Sequence, residues 1–466
     1  MPFYPPHTRQ QQAQALLTAF LQSDDLPLAD ALTPDDVGTA FADAGADCSG
    51  SATAIFTPLL TLWAFLGQLL HTDHSCRAAV LRVIVLCAAL ERPIPASDTA
   101  AYCRARARLP TAALRRLATH LGCQLESHAA NSWLWQGLGV KLIDGSTSTV
   151  PDSPANRQAF PPRRRRRGIS YPLIRWVCLI SLATAAVLDF NYGPYQGKQT
   201  GELALFRSIQ DSLQAGDVLL ADRFFCTWFT FALAQRRGVD VVARLHASRT
   251  QDFRVGCRYG AGERLMFWQR PARPEWLDEA TYQSLPRVLT VRELLVHIDR
   301  PGYRTRRLIV ATTLLDRQRY SHEAVAQLYG ERWQVELDIR ALKVNLSLGE
   351  LRCQSPDMLA KEIWGGLLAY NLVRKVGCQA ASLQGVRPRQ ISFTACRQAL
   401  CAGLKQRVLA TTEQQRRQGA ALLERLGQEQ VGNRPGRVEP RAVKRCGKGY
   451  PRLRQPRAQA RARLQR

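Results

Sequence analysis

Four residues of unlike chemistry fall into helical register late in this chain: Tyr329, Arg332, Glu336 and Lys343. At roughly 100° per residue, offsets of three, four and seven residues bring all four into an arc of about 60° on one helix. A phenol, a guanidinium, a carboxylate and an ammonium share no apolar surface, so core filling does not explain the grouping. A single carboxylate among groups that bind phosphate suits a metal-dependent site acting on a nucleic acid.

Two further carboxylates stand out by position. Asp144 ends the apolar run Val140-Lys141-Leu142-Ile143 and precedes Gly145-Ser146. Asp222 ends Val218-Leu219-Leu220-Ala221 and precedes Arg223. Functional sites of α/β proteins collect where buried strands emerge at the sheet edge. Each acid taken singly serves equally well as a turn or cap residue. Together with Glu336 they supply three hard oxygen ligands of the kind Mg²⁺ or Mn²⁺ takes. Helix geometry selects the third acid: Glu331 and Asp338 are rotated about 140–160° from Glu336. Glu323 also lies off the arc, and Glu350 lies beyond Gly349. An adjacent stripe of Leu328, Val335, Ile339, Leu342 and Leu346 can seat the helix on a sheet. Gly330 is the flaw in that helix, costing about 1 kcal/mol.

The chain has 466 residues, room for two or three domains. Its 64 Lys plus Arg against 38 Asp plus Glu leave a net charge of +26, which points to a polyanionic partner. Thirteen cysteines, none in C-x-x-C spacing, argue against zinc knuckles and a disulfide scaffold and for a reducing compartment. The start, MPFYPPHTRQQQ, has no secretory pattern. Residues 173–190 approach membrane-span length, but Arg175, Asp189 and the Asn191-Tyr192-Gly193-Pro194 turn favour buried strands in a soluble protein.

The expected fold class is α/β, in four parts. Residues 1–130 read as a helical N-terminal DNA-binding domain, with Arg104, Arg106 and Arg108 as its basic stretch before Pro110. Residues 131–350 read as a mixed-sheet core, with a β-rich insertion at about 247–310 and one long helix at about 322–348. Residues 351–430 read as a C-terminal helical region. Residues 431–466 carry twelve basic residues and one Glu, and read as a disordered basic tail. A second basic run, Arg163, Arg164, Arg165, Arg166 and Arg167, lies between two expected strands, where it would serve phosphate contacts.

These residues carry a resemblance. Tyr329, Arg332, Glu336 and Lys343 match the Y-(2)-R-(3)-E-(6)-K signature of DDE transposases from bacterial insertion sequences, in the insertion-sequence-four branch. IDGS at 143–146 resembles the first-Asp motif and LLADRFF at 219–225 the second. YCRARARLP at 102–110 and GPYQGKQTGE at 193–202 also look like this branch, and the resemblance spans about residues 50–380. It implies a ribonuclease-H-like core in which Asp144, Asp222 and Glu336 are catalytic and bind two Mg²⁺ ions, with Mn²⁺ as a substitute. It implies cleavage at the transposon end followed by strand transfer, with Tyr329 and Arg332 holding the backbone beside a flipped base and Lys343 on phosphate. The implied partners are double-stranded DNA, as inverted-repeat ends and target, and a second copy of the chain in a synaptic dimer. No membrane is implied, and the implied location is the bacterial cytoplasm, at the nucleoid. One departure stands out: relatives place a base-stacking Trp on the strand before the signature helix, and Arg307–Thr313 contains none. Trp268 and Trp276 read as core residues. A DNA-binding repressor without catalysis, a decayed copy, and a nuclease that only hydrolyses are the rival readings.

Overall fold

The computed structural model describes residues 9–20, 26–48, 54–162, 164–165, 168–169, 171–297 and 307–431, with residues 459, 462 and 463 near the C-terminus. Of the basic run, Arg163, Arg166 and Arg167 lie outside the described residues, as does most of the tail from 432. Among the described residues six α-helices precede the sheet: α1 (Arg9–Thr18), α2 (Pro34–Asp43), α3 (Pro58–Leu70), α4 (Cys76–Ala89), α5 (Ala100–Arg108) and α6 (Thr111–Ser127). Their starts follow from local chemistry. Thr33, Thr57 and Ser75 each accept a hydrogen bond from a first-turn N–H, and Pro34 and Pro58 preset the first helical φ.

The central run comprises β1 (Val140–Thr149), α7 (Pro154–Ala159), β2 (Arg164–Arg165), β3 (Gly168–Ile169), β4 (Leu173–Ser181), β5 (Val187–Pro194), α8 (Glu202–Arg207), β6 (Val218–Ala221), α9 (Trp228–Arg236) and β7 (Asp240–Arg244). Then come β8 (Cys257–Gly260), β9 (Glu263–Gln269), α10 (Glu279–Ser284), β10 (Val288–His297), β11 (Arg307–Thr312), α11 (His322–Glu331) and α12 (Gln334–Arg340). The last helices are α13 (Pro356–Gln384), α14 (Phe393–Leu409) and α15 (Thr412–Gln428).

One nine-stranded sheet runs β5-β4-β1-β6-β7-β11-β10-β9-β8, with β2 and β3 paired separately. Strands β1, β6 and β7 are parallel; β4, β5, β11, β10, β9 and β8 pair antiparallel to their neighbours. Residues 173–190 are thus strands β4 and β5, and among the described residues no helix is long and apolar enough to cross a membrane. The strands expected as an insertion do not stand apart. Through β11, which pairs with β7, they continue the same sheet.

Alternation along the strands splits the core in two. Leu142, Cys178, Leu220 and Val242 face the helical side with α6 and α13, while Ile143, Leu179, Leu219 and Val241 face the side with α8 and α9. On the first side, Asn371 of α13 spans three elements: its amide donates to Ala118 O (2.8 Å) and Val187 O (2.8 Å) and accepts from Val187 N (2.9 Å). The helices before and after the sheet therefore pack together on one face, α6 directly against α13. Gly122 is required there, because a Cβ would fall inside van der Waals contact with the Val187 carbonyl.

The expected helix over 322–348 is broken. Ser321 caps α11, but Arg332 and Trp333 form a turn with i→i−3 bonds (Arg332 N to Tyr329 O, 3.2 Å; Glu336 N to Trp333 O, 3.1 Å). Residues 341–345 then widen into a π-turn, with Leu346 N bonded to Ala341 O at 3.3 Å. The break follows Gly330, the residue with least helix preference in the stretch. It rules out a uniform 100° progression through the signature residues.

Candidate active site

The ladder between β1 and β6 pairs Val140 with Val218, Lys141 with Leu219 and Leu142 with Leu220. Extended by two residues, that register sets Asp144 abreast of Asp222 on adjacent parallel strands, which run about 4.8 Å apart. Both acids continue the parity of Leu142 and Leu220, so they lie on the face that α11, α12 and the π-turn cover through Leu328, Val335 and Leu342. The first two acids therefore meet by strand register.

Glu336 reaches them through Arg332. The Arg332 guanidinium donates to Glu336 Oε1 at 2.6 Å and lies 3.7 Å from Asp144 Oδ2. Burial pushes the Asp144 carboxyl up to about 6, opposed by the Gly145 N–H (2.8 Å to Oδ1) and by Arg332, and reinforced by Asp222 and Glu202. Helix α12 is fixed from behind by Asp338, which is buried. Its carboxylate pairs with Arg374 (2.7 Å) and Arg389 (2.9 Å), and Arg389 also donates to the Ser181 and Leu182 carbonyls at the end of β4. Asp338 thus points away from Glu336, as its rotation on the helix requires.

Tyr329 is half-buried; burial raises its hydroxyl to about 12, with Arg332 and Arg244 opposing. Lys343 donates to Ser146 Oγ (3.1 Å), two residues beyond Asp144, and burial lowers its ammonium. All four signature residues therefore attend one place, although the helix carrying them is irregular. The π-turn at 341–345 is what swings Lys343 onto β1.

Sequence reasoning missed Glu202. Arg175 of β4 stacks on Tyr195 (4.4 Å to the ring centroid) and bonds Thr200 O (3.2 Å), which delivers Glu202 over Gly145. A Cβ at residue 145 would sit 2.6 Å from the Glu202 carboxyl carbon. Burial raises the Glu202 carboxyl, Arg175 lowers it and Asp222 raises it, so it is a fourth acid beside the pair. Its one sequence signal is its place at the end of the 193–202 stretch. Two exposed aromatic residues close to the acids in sequence were also missed: Trp333 and Phe224 are 50% and 45% exposed, next to Arg332 and two residues past Asp222. Trp268 is a core residue, 4% exposed and packed on Phe231, and Trp276 packs on Phe229 and Arg207.

The donor chemistry fits Mg²⁺ or Mn²⁺, since Asp144, Asp222 and Glu336 offer only carboxylate oxygens. They are not drawn onto one point: among the described residues no group of three or more ligands is gathered as a metal site. Arg332 supplies the positive charge between Asp144 and Glu336 instead. Of the basic residues expected on DNA, Arg104 and Arg108 are exposed on α5, whereas Arg106 turns inward over Phe65 and Tyr102. Arg164 and Arg165 lie on strand β2.

The family described as "Transposase DDE domain" matches residues 135–372, just over half of the chain. Transposase InsG for insertion sequence element IS4 of Escherichia coli K12 is 29% identical over 350 residues, 72% of this chain and 73% of that protein. The Escherichia coli transposase for insertion sequence element IS421 is 38% identical over 65 residues, 14% of this chain and 18% of its own. A structure titled as the piggyBac transposase synaptic complex with hairpin DNA aligns loosely, with a TM-score of 0.42 and 12% identity over 93% of this chain and 88% of that one. The matched span contains β1, β6 and α12, the elements that carry Asp144, Asp222 and Glu336, and the chain accordingly belongs to the transposase DDE domain family, as a DDE transposase of the IS4 type.

Proposed function

We propose that this transposase binds the terminal inverted repeats of its own insertion sequence and, with divalent ions, cleaves the DNA there and joins the freed end to a target. The observation that carries the reading is the β1–β6 register, which sets Asp144 beside Asp222 under the helix bearing Glu336. The strand order β5-β4-β1-β6-β7, antiparallel and then parallel, supports a ribonuclease-H-like core.

In this reading Asp144, Asp222 and Glu336 hold two Mg²⁺ ions, which Mn²⁺ can replace. Bound there, the ions would supply Lewis-acid activation of the attacking oxygen and charge relief on the leaving 3′ oxygen. The protein's own groups do the rest. Arg332 leaves Glu336 for the DNA backbone, which frees the carboxylate and places a cation on phosphate. Lys343, on Ser146, contributes a second cation. Tyr329 stays protonated at neutral pH and donates to the backbone. The exposed rings of Trp333 and Phe224 offer a stacking surface for an unpaired end base, a role that strand β11 has no Trp to fill. Arg104 and Arg108 on α5, the arginine run at 163–167 and the tail from 431 add backbone contacts. The helices before β1 serve end binding, residues 351–430 support α12, and two copies of the chain pair the two ends.

The test is cleavage and joining of DNA that carries the element's own termini, by the full-length protein with Mg²⁺ or Mn²⁺. Asp144→Asn, Asp222→Asn and Glu336→Gln are each expected to abolish both steps while end binding is largely kept. Full activity in any one of them overturns the site. End binding without cleavage by the native chain would make it a repressor, and cleavage without joining a nuclease.

A further inference from the structure

One turn past the active site lies a cavity of about 520 Å³, walled by the α3–α4 turn, by α5 and by the chain between the π-turn and α13. Two arginines face it. Arg352 is exposed at its rim. Arg106 lines it from α5 with its guanidinium over Phe65 (5.4 Å) and Tyr102 (5.7 Å), one N–H on Gln68 Oε1 (3.3 Å), and its buried Nε without a partner. Gln68 Oε1 is already shared with the Tyr102 hydroxyl at 2.6 Å.

Among the described residues no ion pair joins a carboxylate to either arginine. Glu362 is the one acid on the wall, and its oxygens are taken by the backbone N–H groups of Arg352 (3.0 and 3.1 Å) and Cys353 (3.0 Å). A half-buried guanidinium with an unmet donor and no ion-pair partner in contact can take an anion from outside. Ser75 and Ser355, the caps of α4 and α13, also line the cavity, so the positive ends of two long helices add to the same field.

Its position says which anion. Ser347 on the cavity wall bonds His74 Nε2 at 3.0 Å, and the chain just after it folds back onto Lys343, with Gly349 N bonded to Lys343 O at 3.2 Å. Successive nucleotides on one DNA strand rise about 3.4 Å, so a strand held at Lys343 passes the cavity within a few nucleotides. We propose that Arg106 and Arg352 bind a backbone phosphate of the DNA beside the active site. The proposal rests on the reading that this chain acts on DNA, and it separates Arg106 from Arg104 and Arg108 on the outer face of the same helix.

Binding of the full-length protein to a short duplex of arbitrary sequence, followed by fluorescence anisotropy across a KCl series, tests this. Each phosphate that is no longer neutralised is expected to lower the slope of log K against log[salt] by about 0.9. Arg352→Gln, at an exposed position, should lose that increment. Arg106→Met should lose it too, while its aliphatic stem keeps the packing on Phe65. A parallel arm measures thermal stabilisation of native protein and Arg352→Gln by inorganic phosphate. A slope lowered by about one in Arg352→Gln, with no difference between the proteins toward inorganic phosphate, supports the DNA site. An unchanged slope in Arg352→Gln overturns it. So does phosphate stabilisation that the variant loses without a change in slope, which would mark a free-phosphate site. If the native chain binds no DNA, the functional reading fails instead.

Discussion

Replacing Asp144 by Asn should stabilise the protein in the absence of divalent ions. The carboxyl lies about 20% exposed beneath α12, and burial raises it from 3.8 to about 6. A carboxyl raised on folding contributes stability that is full below pH 3.8 and is lost as pH rises through about 6, because the folded state then holds a charge it disfavours. A shift of that size corresponds to roughly 2–3 kcal/mol at neutral pH. Asn removes the charge and keeps an acceptor for the Gly145 N–H. Urea unfolding in EDTA at a series of pH values measures the difference. The variant should gain on native protein between about pH 4 and pH 6 and hold the gain above that. Mg²⁺ at a thousandfold excess over Kd should reverse the order, since a ligand at that excess stabilises by about 4.1 kcal/mol and the variant lacks an ion ligand. A native-minus-variant difference that is flat with pH, or that moves in native's favour as pH rises without ions, would refute the argument.

Arg332→Gln should bind Mn²⁺ roughly fivefold more tightly in the absence of DNA, read by titration calorimetry, because an ion pair worth about 1 kcal/mol no longer competes for Glu336. Equal or weaker binding would mean that Arg332 does not stand in for the ion. Asp338→Ala should lose about 3–5 kcal/mol of stability, since Arg374 and Arg389 are left buried and unpaired; a loss below about 1 kcal/mol would show the clamp on α12 to be slack. Gly122→Ala should cost about 1–3 kcal/mol by forcing α6 from β5, whereas Gly38→Ala, inside α2 with open space at the same atom, should raise stability by about 0.5–1 kcal/mol in the same thermal melt.

The sequence by itself determined what is local. Apolar runs ending in Asp144 and Asp222 marked strands, although β1 runs on past Asp144 to Thr149 and only Asp222 follows directly on its strand, and cap residues such as Ser321 marked helix starts, because both signals are complete within a few residues. Glu336 was separable from Asp338 for the same reason: both lie on α12, a short helical piece whose rotation the break at Arg332 leaves intact, whereas Glu331 lies across that break. What spans the chain was not legible. The register that sets Asp144 beside Asp222 joins strands some eighty residues apart, and no spacing encodes it. Glu202 reaches the pair only because Arg175 holds the loop before it, and Arg106 turns inward only because α3 presents Phe65 and Gln68. The signature helix read as one regular element, but packing against β1 and α13 outweighed helix preference and introduced a turn and a π-bulge that aim Arg332 and Lys343. Strands β8–β10 likewise joined the central sheet because β11 offered an open edge to pair with. Local periodicity reports which face of an element is apolar; long-range pairing decides which faces meet, and that is what assembled the four acids and the arginine between them.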